Sequence, residues 1–268
     1  MRTLITFLAF AALSLCYQPA CAKSNDYVRM IEAGEPINIA SDKAYALVRL
    51  QSRLKLFNII VMRIPSGDEM AGYEAAKSAA YAKSGRKAGR SDKFDFTYDG
   101  VPNLFSVPFK RELMELSDGR MVLAELPAGE YILYGEGFSG FLVQCFCLGT
   151  VRFTLKPGVV TDLGTIALDY AWSPATIPEL VPVSGQGVAA KMDYAVMAVG
   201  LRPTREGDVL PPGLIHSRIE IAGFHAVGPF VDSETQLISQ LAPVAGVLAY
   251  DNGQVVDVAT GKVLSENE

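Results

Sequence analysis

Histidine and cysteine are scarce in this chain, and much of metal and nucleophile chemistry is scarce with them. There are two histidines and four cysteines in 268 residues. His216 and His225 stand far downstream without a local ligand pattern, and no Cys-x-x-Cys pair with a second ligand pair is present, so a structural zinc site has no signature. A Walker loop, a dinucleotide fingerprint and a His-Glu-x-x-His helix are also missing. Beyond the first residues no segment supplies the roughly 20 uninterrupted apolar residues of a membrane-spanning helix. Basic residues are outnumbered, 24 against 29 acidic ones, and a net acidic surface argues against nucleic acid as a partner. What remains is a chain that is half hydrophobic and 20% charged. That is the composition of a globular protein and not of a disordered one.

The first residues predict a destination. Arg2 precedes the apolar run LITFLAFAALSLC at 4–16, and Ala20-Cys21-Ala22 offers a small-residue cleavage site. This pattern predicts a secretory signal peptide over residues 1–22. The lipoprotein alternative fits less well, because Leu15 is large for the position before Cys16 and Gln18-Pro19-Ala20 poorly matches the positions before Cys21. Cleavage after Ala22 removes one basic residue and no acidic one, so 23 basic and 29 acidic residues leave a formal charge of −6. It also removes Cys16 and Cys21. Cys145 and Cys147 are then the remaining cysteines.

That pair admits three readings. On a flat strand, residues i and i+2 share a face with Cα atoms about 6.5 to 7 Å apart, near or beyond the usual limit for a disulfide. A bridge therefore requires a bulge or turn. Two soft ligands alone do not make a metal site. Free cysteine is among the most buried residue types, and Phe146 and Leu148 add apolar bulk, so buried structural thiols are the expectation. A local disulfide or redox pair and a metal site are the alternatives.

Most of the chain reads as strand. AYALVRL at 44–50 and LFNIIVMRI at 56–64 are rich in β-branched and large apolar residues, and the second is apolar on both faces, as in a central strand. Alanine- and lysine-rich sequence from 67 to about 84 predicts a short exposed helix, followed by a Gly-rich basic loop. LMELSDGRMVLAELPAGEYILYGEG at 113–137 predicts strand, Asp118-Gly119 turn, strand, Pro127-Ala128-Gly129 turn, strand. At 150–168, Val151, Phe153 and Leu155 alternate with Arg152, Thr154 and Lys156 before a Pro157-Gly158 turn, which predicts a half-buried antiparallel pair. Short strands between such turns, with little helix, predict a mainly β, antiparallel β-sandwich.

The stretches LPAGEYILYGEG at 126–137 and LKPGVVTDLGTIAL at 155–168 resemble the end of the sandwich domain in secreted Gram-negative proteins without an assigned role. More loosely, they are similar to prealbumin-like domains of the carboxypeptidase regulatory type. The resemblance covers roughly residues 44–168 and implies an envelope location, periplasmic or on the outer envelope. It does not extend to the enzymes of the transthyretin group, which end in Tyr-Arg-Gly-Ser and use active-site histidines. This chain ends LSENE and has no histidine before His216.

After residue 168 the texture changes. WSPATIPELVPVSGQG at 172–187 and LRPTREGDVLPPGL at 201–214 concentrate proline and glycine, which forbids long regular elements. An extended segment at 171–213 is expected to wrap the sandwich of residues 23–170, pinned by Trp172, Val196, Met197 and Val199. Residues 214–268 read as a small C-terminal β unit, with Asn252-Gly253 as a type I′ hairpin turn.

Four residues are candidates for chemistry. Ser139 lies in GEGFSGF at 135–141, which misses the Gly-x-Ser-x-Gly nucleophile elbow by one position and reads as a flexible loop. His225 has the acidic residues Asp232 and Glu234 downstream for a general-base role, but a lone histidine beside Phe224 and Phe230 reads as a packed structural residue. Cys145 and Cys147 are the other two. The basic set Lys77, Lys83, Arg86, Lys87, Arg90 and Lys93 suits a solvated arm, or peripheral contact with anionic headgroups or an acidic partner. The whole predicts a non-catalytic envelope module, binding or structural, with no cofactor. The alternative is a hydrolase or thiol-dependent enzyme assembled around His225 or Cys145 and Cys147.

Overall fold

In the computed structural model, the described residues are 28–52, 54, 57–84, 94, 96, 98, 103–138, 142–185, 197–214, 218–230 and 237–266. The predicted signal peptide, Ser139, His216 and the basic residues Arg86, Lys87, Arg90 and Lys93 lie outside them. The fold is mainly β. The chain forms β1 (Arg29–Ile31), β2 (Ala44–Ser52), β3 (Phe57–Arg63), helix α1 (Gly67–Lys83), β4 (Leu104–Pro108), β5 (Met114–Leu116) and β6 (Gly119–Leu126). It continues through β7 (Gly129–Phe138), β8 (Leu142–Cys145), β9 (Thr150–Leu155), β10 (Val159–Tyr170) and β11 (Met197–Arg202). The last strands are β12 (Ile219–Ile221), β13 (His225–Val227), β14 (Leu237–Ile238), β15 (Leu248–Asp251), β16 (Gln254–Asp257) and β17 (Lys262–Leu264).

These strands make two seven-stranded sheets and one of three. The first runs β1-β6-β2-β10-β11, with β5 on β6 and β12 on β10; the second runs β13-β9-β7-β3-β4, with β8 on β7 and β14 on β8. β3 is an interior strand, as its apolar run predicts, and β2 is interior as well. On β2, Ala46 and Val48 join a central cluster that also holds Ile59 and Val61 of β3, while Tyr45 and Leu47 face a second cluster with Leu123 and Leu214. Burying each large apolar side chain stabilises the fold by roughly 1.5–3 kcal/mol. The central cluster leaves a void of about 10 Å³, room for a single water at most, so this void is no ligand cavity.

Two turns act differently from their local sequence. The Pro127-Ala128-Gly129 and Pro157-Gly158 segments do not close hairpins: β6 and β7 lie in different sheets, as do β9 and β10. The expected antiparallel pair of β9 and β10 is therefore absent. Gly158 donates its N–H to the Lys43 carbonyl at 2.7 Å, which seats the turn beside the start of β2 and sends β10 along that strand. β10 runs parallel to both β2 and β12, and β14 runs parallel to β8. The sheets are mixed, not purely antiparallel. With both faces covered, β10 is buried at ten successive positions, Val159 to Leu168, the continuous pattern of an interior parallel strand.

The later chain adds strands to the same sheets. β11 pairs antiparallel with β10 from Thr165↔Arg202 to Tyr170↔Met197, so part of the expected wrapping segment is sheet. Met197 and Val199 are buried as expected, and Val196 lies outside the described residues. Trp172 is no anchor: it is 46% exposed and stacks on Tyr170 at 4.7 Å between ring centroids. Leu180 and Val183, in a 3-10 turn at Pro178–Val183, are buried there instead. β12, β13 and β14 join the large sheets, whereas β15, β16 and β17 form the three-stranded one and pack Leu248 and Val255 on the central cluster. Asn252 and Gly253 turn between β15 and β16 with φ of 49° and 82°, both positive as a type I′ turn requires. The other expected hairpin is shifted by one residue, since Leu116 pairs with Gly119 and leaves Ser117-Asp118 as the turn.

Candidate functional site

A concavity lies where β3 hands over to α1. Ser66 caps the helix, its hydroxyl accepting from the Glu69 N–H at 3.2 Å while Glu69 Oε2 accepts from the Ser66 N–H at 2.8 Å. This reciprocal capping box fixes the first turn. It also leaves Glu69 Oε1 free to accept from Arg63 Nη2, the last residue of β3, at 2.6 Å. The Arg63 hydrogen bond, helped by the Ser66 N–H, holds the Glu69 carboxyl below the usual carboxylate range. Glu69 is thus ionised at neutral pH and cancels the charge of Arg63.

One helical turn beyond Glu69 stands Tyr73. Its ring meets that of Tyr98 edge-on at 5.5 Å, and Lys77 places Nζ 5.7 Å from the Tyr73 centroid, within cation–π reach. Phe96 lies 6.1 Å from both rings, and Phe94 meets Tyr81 at 5.3 Å. No residue of α1 is buried. The helix meets Phe94, Phe96 and Tyr98 through these ring contacts and not through a buried apolar stripe. Asn103 closes the far side, its carbonyl accepting from the Arg63 N–H at 2.6 Å. The result is a cleft of about 300 Å³, with Arg63, Glu69 and Asn103 as its polar groups and Pro65, Met70, Tyr73 and Tyr98 as its apolar walls. That volume is at the lower end for small-molecule sites.

The residues singled out from sequence do not line this cleft. Cys145 and Cys147 are joined by a disulfide, which overturns the expectation of free structural thiols. The flat-strand geometry fails because β8 ends at Cys145 and Cys147 already lies in the following turn, where Gly149 donates to the Phe146 carbonyl at 3.1 Å. The Cα atoms come to 5.2 Å apart, well inside the range for a bridge. Burial was correctly expected: both cysteines are covered in a cluster with Ile60 and Tyr134, against which Phe230 packs. His225 is not packed. It is exposed on β13 opposite Arg152, while its neighbour Phe224 contacts Phe153 at 6.0 Å. Asp232 and Glu234 lie outside the described residues, as does Ser139. Of the basic set, Lys83 is exposed and Lys77 half-buried.

Glu136 on β7 is 4% exposed, and its Oε2 has no hydrogen-bond partner. Burial pushes its carboxyl up to about 8. It pairs in register with Gln144, whose own amide is committed to the Met197 backbone, donating at 2.8 Å and accepting at 3.2 Å. Glu136 is not among the cleft residues. Among the described residues no three His, Cys, Asp or Glu side chains gather to hold a metal ion, and no helix is long and apolar enough to cross a membrane. The aromatic cleft had one sequence signal, the alternation Phe94, Phe96, Tyr98, which reads as an ordinary strand until the helix is laid against it.

No protein-family model matches the chain, and neither does any curated protein or solved structure.

Proposed function

We propose that this chain is an exported, non-catalytic binding module of the bacterial cell envelope, built as a prealbumin-like β-sandwich and taking its ligand in the cleft between β3 and α1. The observation that carries the reading is the cleft itself: aromatic walls over a paired Arg63 and Glu69, held by a capped helix with no buried residue. A ligand site of this kind needs a pre-formed concavity with a few placed polar groups, and these elements supply one. The shared core of the two large sheets supports the sandwich, with the parallel pairings of β10 as its departure from an antiparallel plan.

Thiol chemistry at Cys145 and Cys147 first requires reduction of a buried disulfide, and His225 has Arg152 opposite it rather than a carboxylate, so neither favours the enzymatic alternative. Amide spectra of the mature protein, titrated in turn with soluble glycans, peptides and lipid vesicles, test the reading. Shifts confined to Arg63, Glu69, Tyr73, Tyr98 and Asn103 are expected with one of these classes. Turnover of a hydrolase substrate that is lost on His225→Ala or Ser139→Ala overturns it. Export is tested by fusing residues 1–22 to a reporter and measuring whether the mature chain begins at Lys23.

A further inference from the structure

The cleft carries a reading of its ligand class, which rests on the binding function proposed above. Its two charges are spent on each other: Arg63 Nη2 donates to Glu69 Oε1 at 2.6 Å. Within the lining, an anionic ligand meets the ionised Glu69 and a cationic one meets Arg63, so neither gains a net opposite charge there; Lys77 Nζ, 5.7 Å from the Tyr73 centroid, lies outside that lining. Among the described residues no hydrogen bond engages the Asn103 side-chain amide or the hydroxyls of Tyr73 and Tyr98, and the Arg63 Nε has no acceptor. Arg63 itself is 91% buried, since only 9% of it is exposed, and it lines the cleft.

The apolar part of the cleft is built on aromatic rings. Tyr98 is 45% exposed and Met70 44%, and the T-shaped contact of Tyr73 with Tyr98 sets two ring planes at 79° to each other. An acyl chain finds no enclosed apolar tunnel here, because Arg63, Glu69 and Asn103 interrupt the surface. A ligand that satisfies both halves must be neutral, present a flat apolar face to a ring, and carry hydroxyls around its edge that donate and accept. We infer that the cleft binds a neutral saccharide ring, stacked on the exposed Tyr98 and hydrogen-bonded to Asn103 and the Arg63–Glu69 pair.

Calorimetric titration of the full mature chain with maltohexaose, cellohexaose and the hexamer of N-acetylglucosamine tests this. At least one should bind at millimolar concentration or tighter, and Tyr98→Ala and Asn103→Ala should each weaken it roughly tenfold, with unchanged thermal unfolding as the control that the variants fold. Absence of binding by all three overturns the saccharide assignment. Aromatic grooves also take proline-rich peptides, so a proline-rich peptide and a sulfated oligosaccharide are titrated in parallel. If either binds in place of the neutral sugars and is lost in Tyr98→Ala, the cleft remains the binding site and the saccharide assignment falls. Sugar binding that is indifferent to both substitutions sinks the assignment and the cleft together.

Discussion

Arg49 on β2 grips both carboxylate oxygens of Asp162 on β10, Nη1 to Oδ1 at 2.7 Å and Nη2 to Oδ2 at 2.9 Å. The two side chains are 5% and 1% exposed. The same guanidinium donates to the Val209 carbonyl through Nε at 3.1 Å and Nη2 at 2.8 Å, and Asp162 Oδ1 also accepts from the Gly164 N–H at 2.9 Å. This pair ties two parallel strands to the loop after β11. It sits where the register of β2 and β10 shifts between Asp162 and Thr165, and Gly164 follows with φ of 83°, a conformation that favours glycine.

Removing one partner strands the other as a buried charge. Arg49→Ala or Asp162→Ala should therefore cost about 3–5 kcal/mol in denaturant unfolding. The double change Arg49→Met with Asp162→Leu should cost less than either single change, because no charge is left buried. A double variant less stable than both singles would contradict this account.

Glu136 makes stability depend on pH. Its carboxyl is raised from 4.5 to about 8 in the fold, by burial. Between those values the unfolded chain is ionised while the folded chain holds the proton. The contribution is fully present below about pH 4.5, falls as pH rises, and is lost once pH passes about 8. The slope approaches about 1.4 kcal/mol per pH unit for one proton. Glu136→Gln removes the titration and should flatten the curve between pH 5 and 8, raising the melting temperature at pH 8. A variant that keeps the full slope would assign the dependence to other groups.

The disulfide predicts an intact mass about two hydrogens below that of the reduced chain. With both cysteines buried, native protein should resist reductant and yield two alkylated cysteines only after denaturation. Replacing both by alanine should lower stability by about 1–2 kcal/mol, modest because the closed loop is short. Labelling of the native protein without reduction would show free thiols.

Limited trypsin digestion should begin in α1. The helix has no buried residue, so Lys77 and Lys83 should be cut before Arg49, which is buried in β2. A first cut inside β2 or β3 would contradict the burial of those strands.

What was legible in the sequence is what local chemistry decides. The alanine- and lysine-rich run from 67 to about 84 reads as the helix that forms at Gly67–Lys83, Asn252-Gly253 accepts the two positive φ values of its turn, and the run at 56–64, apolar on both faces, reads as the interior strand that β3 is. What only the tertiary structure decided is which strands meet. Pro157-Gly158 looks like a hairpin turn, yet whether the chain returns to its own sheet or crosses to the other depends on β2, more than a hundred residues earlier. The disulfide has the same origin: Cys145 and Cys147 are too far apart on a straight strand and close enough only because β8 ends between them. The cleft is the least local feature of all. Arg63 closes a strand, Glu69 caps a helix, and Tyr98 belongs to a later segment. Each has an ordinary structural role alone, and the pairing of their charges and the facing of their rings exist only when the three segments are brought together.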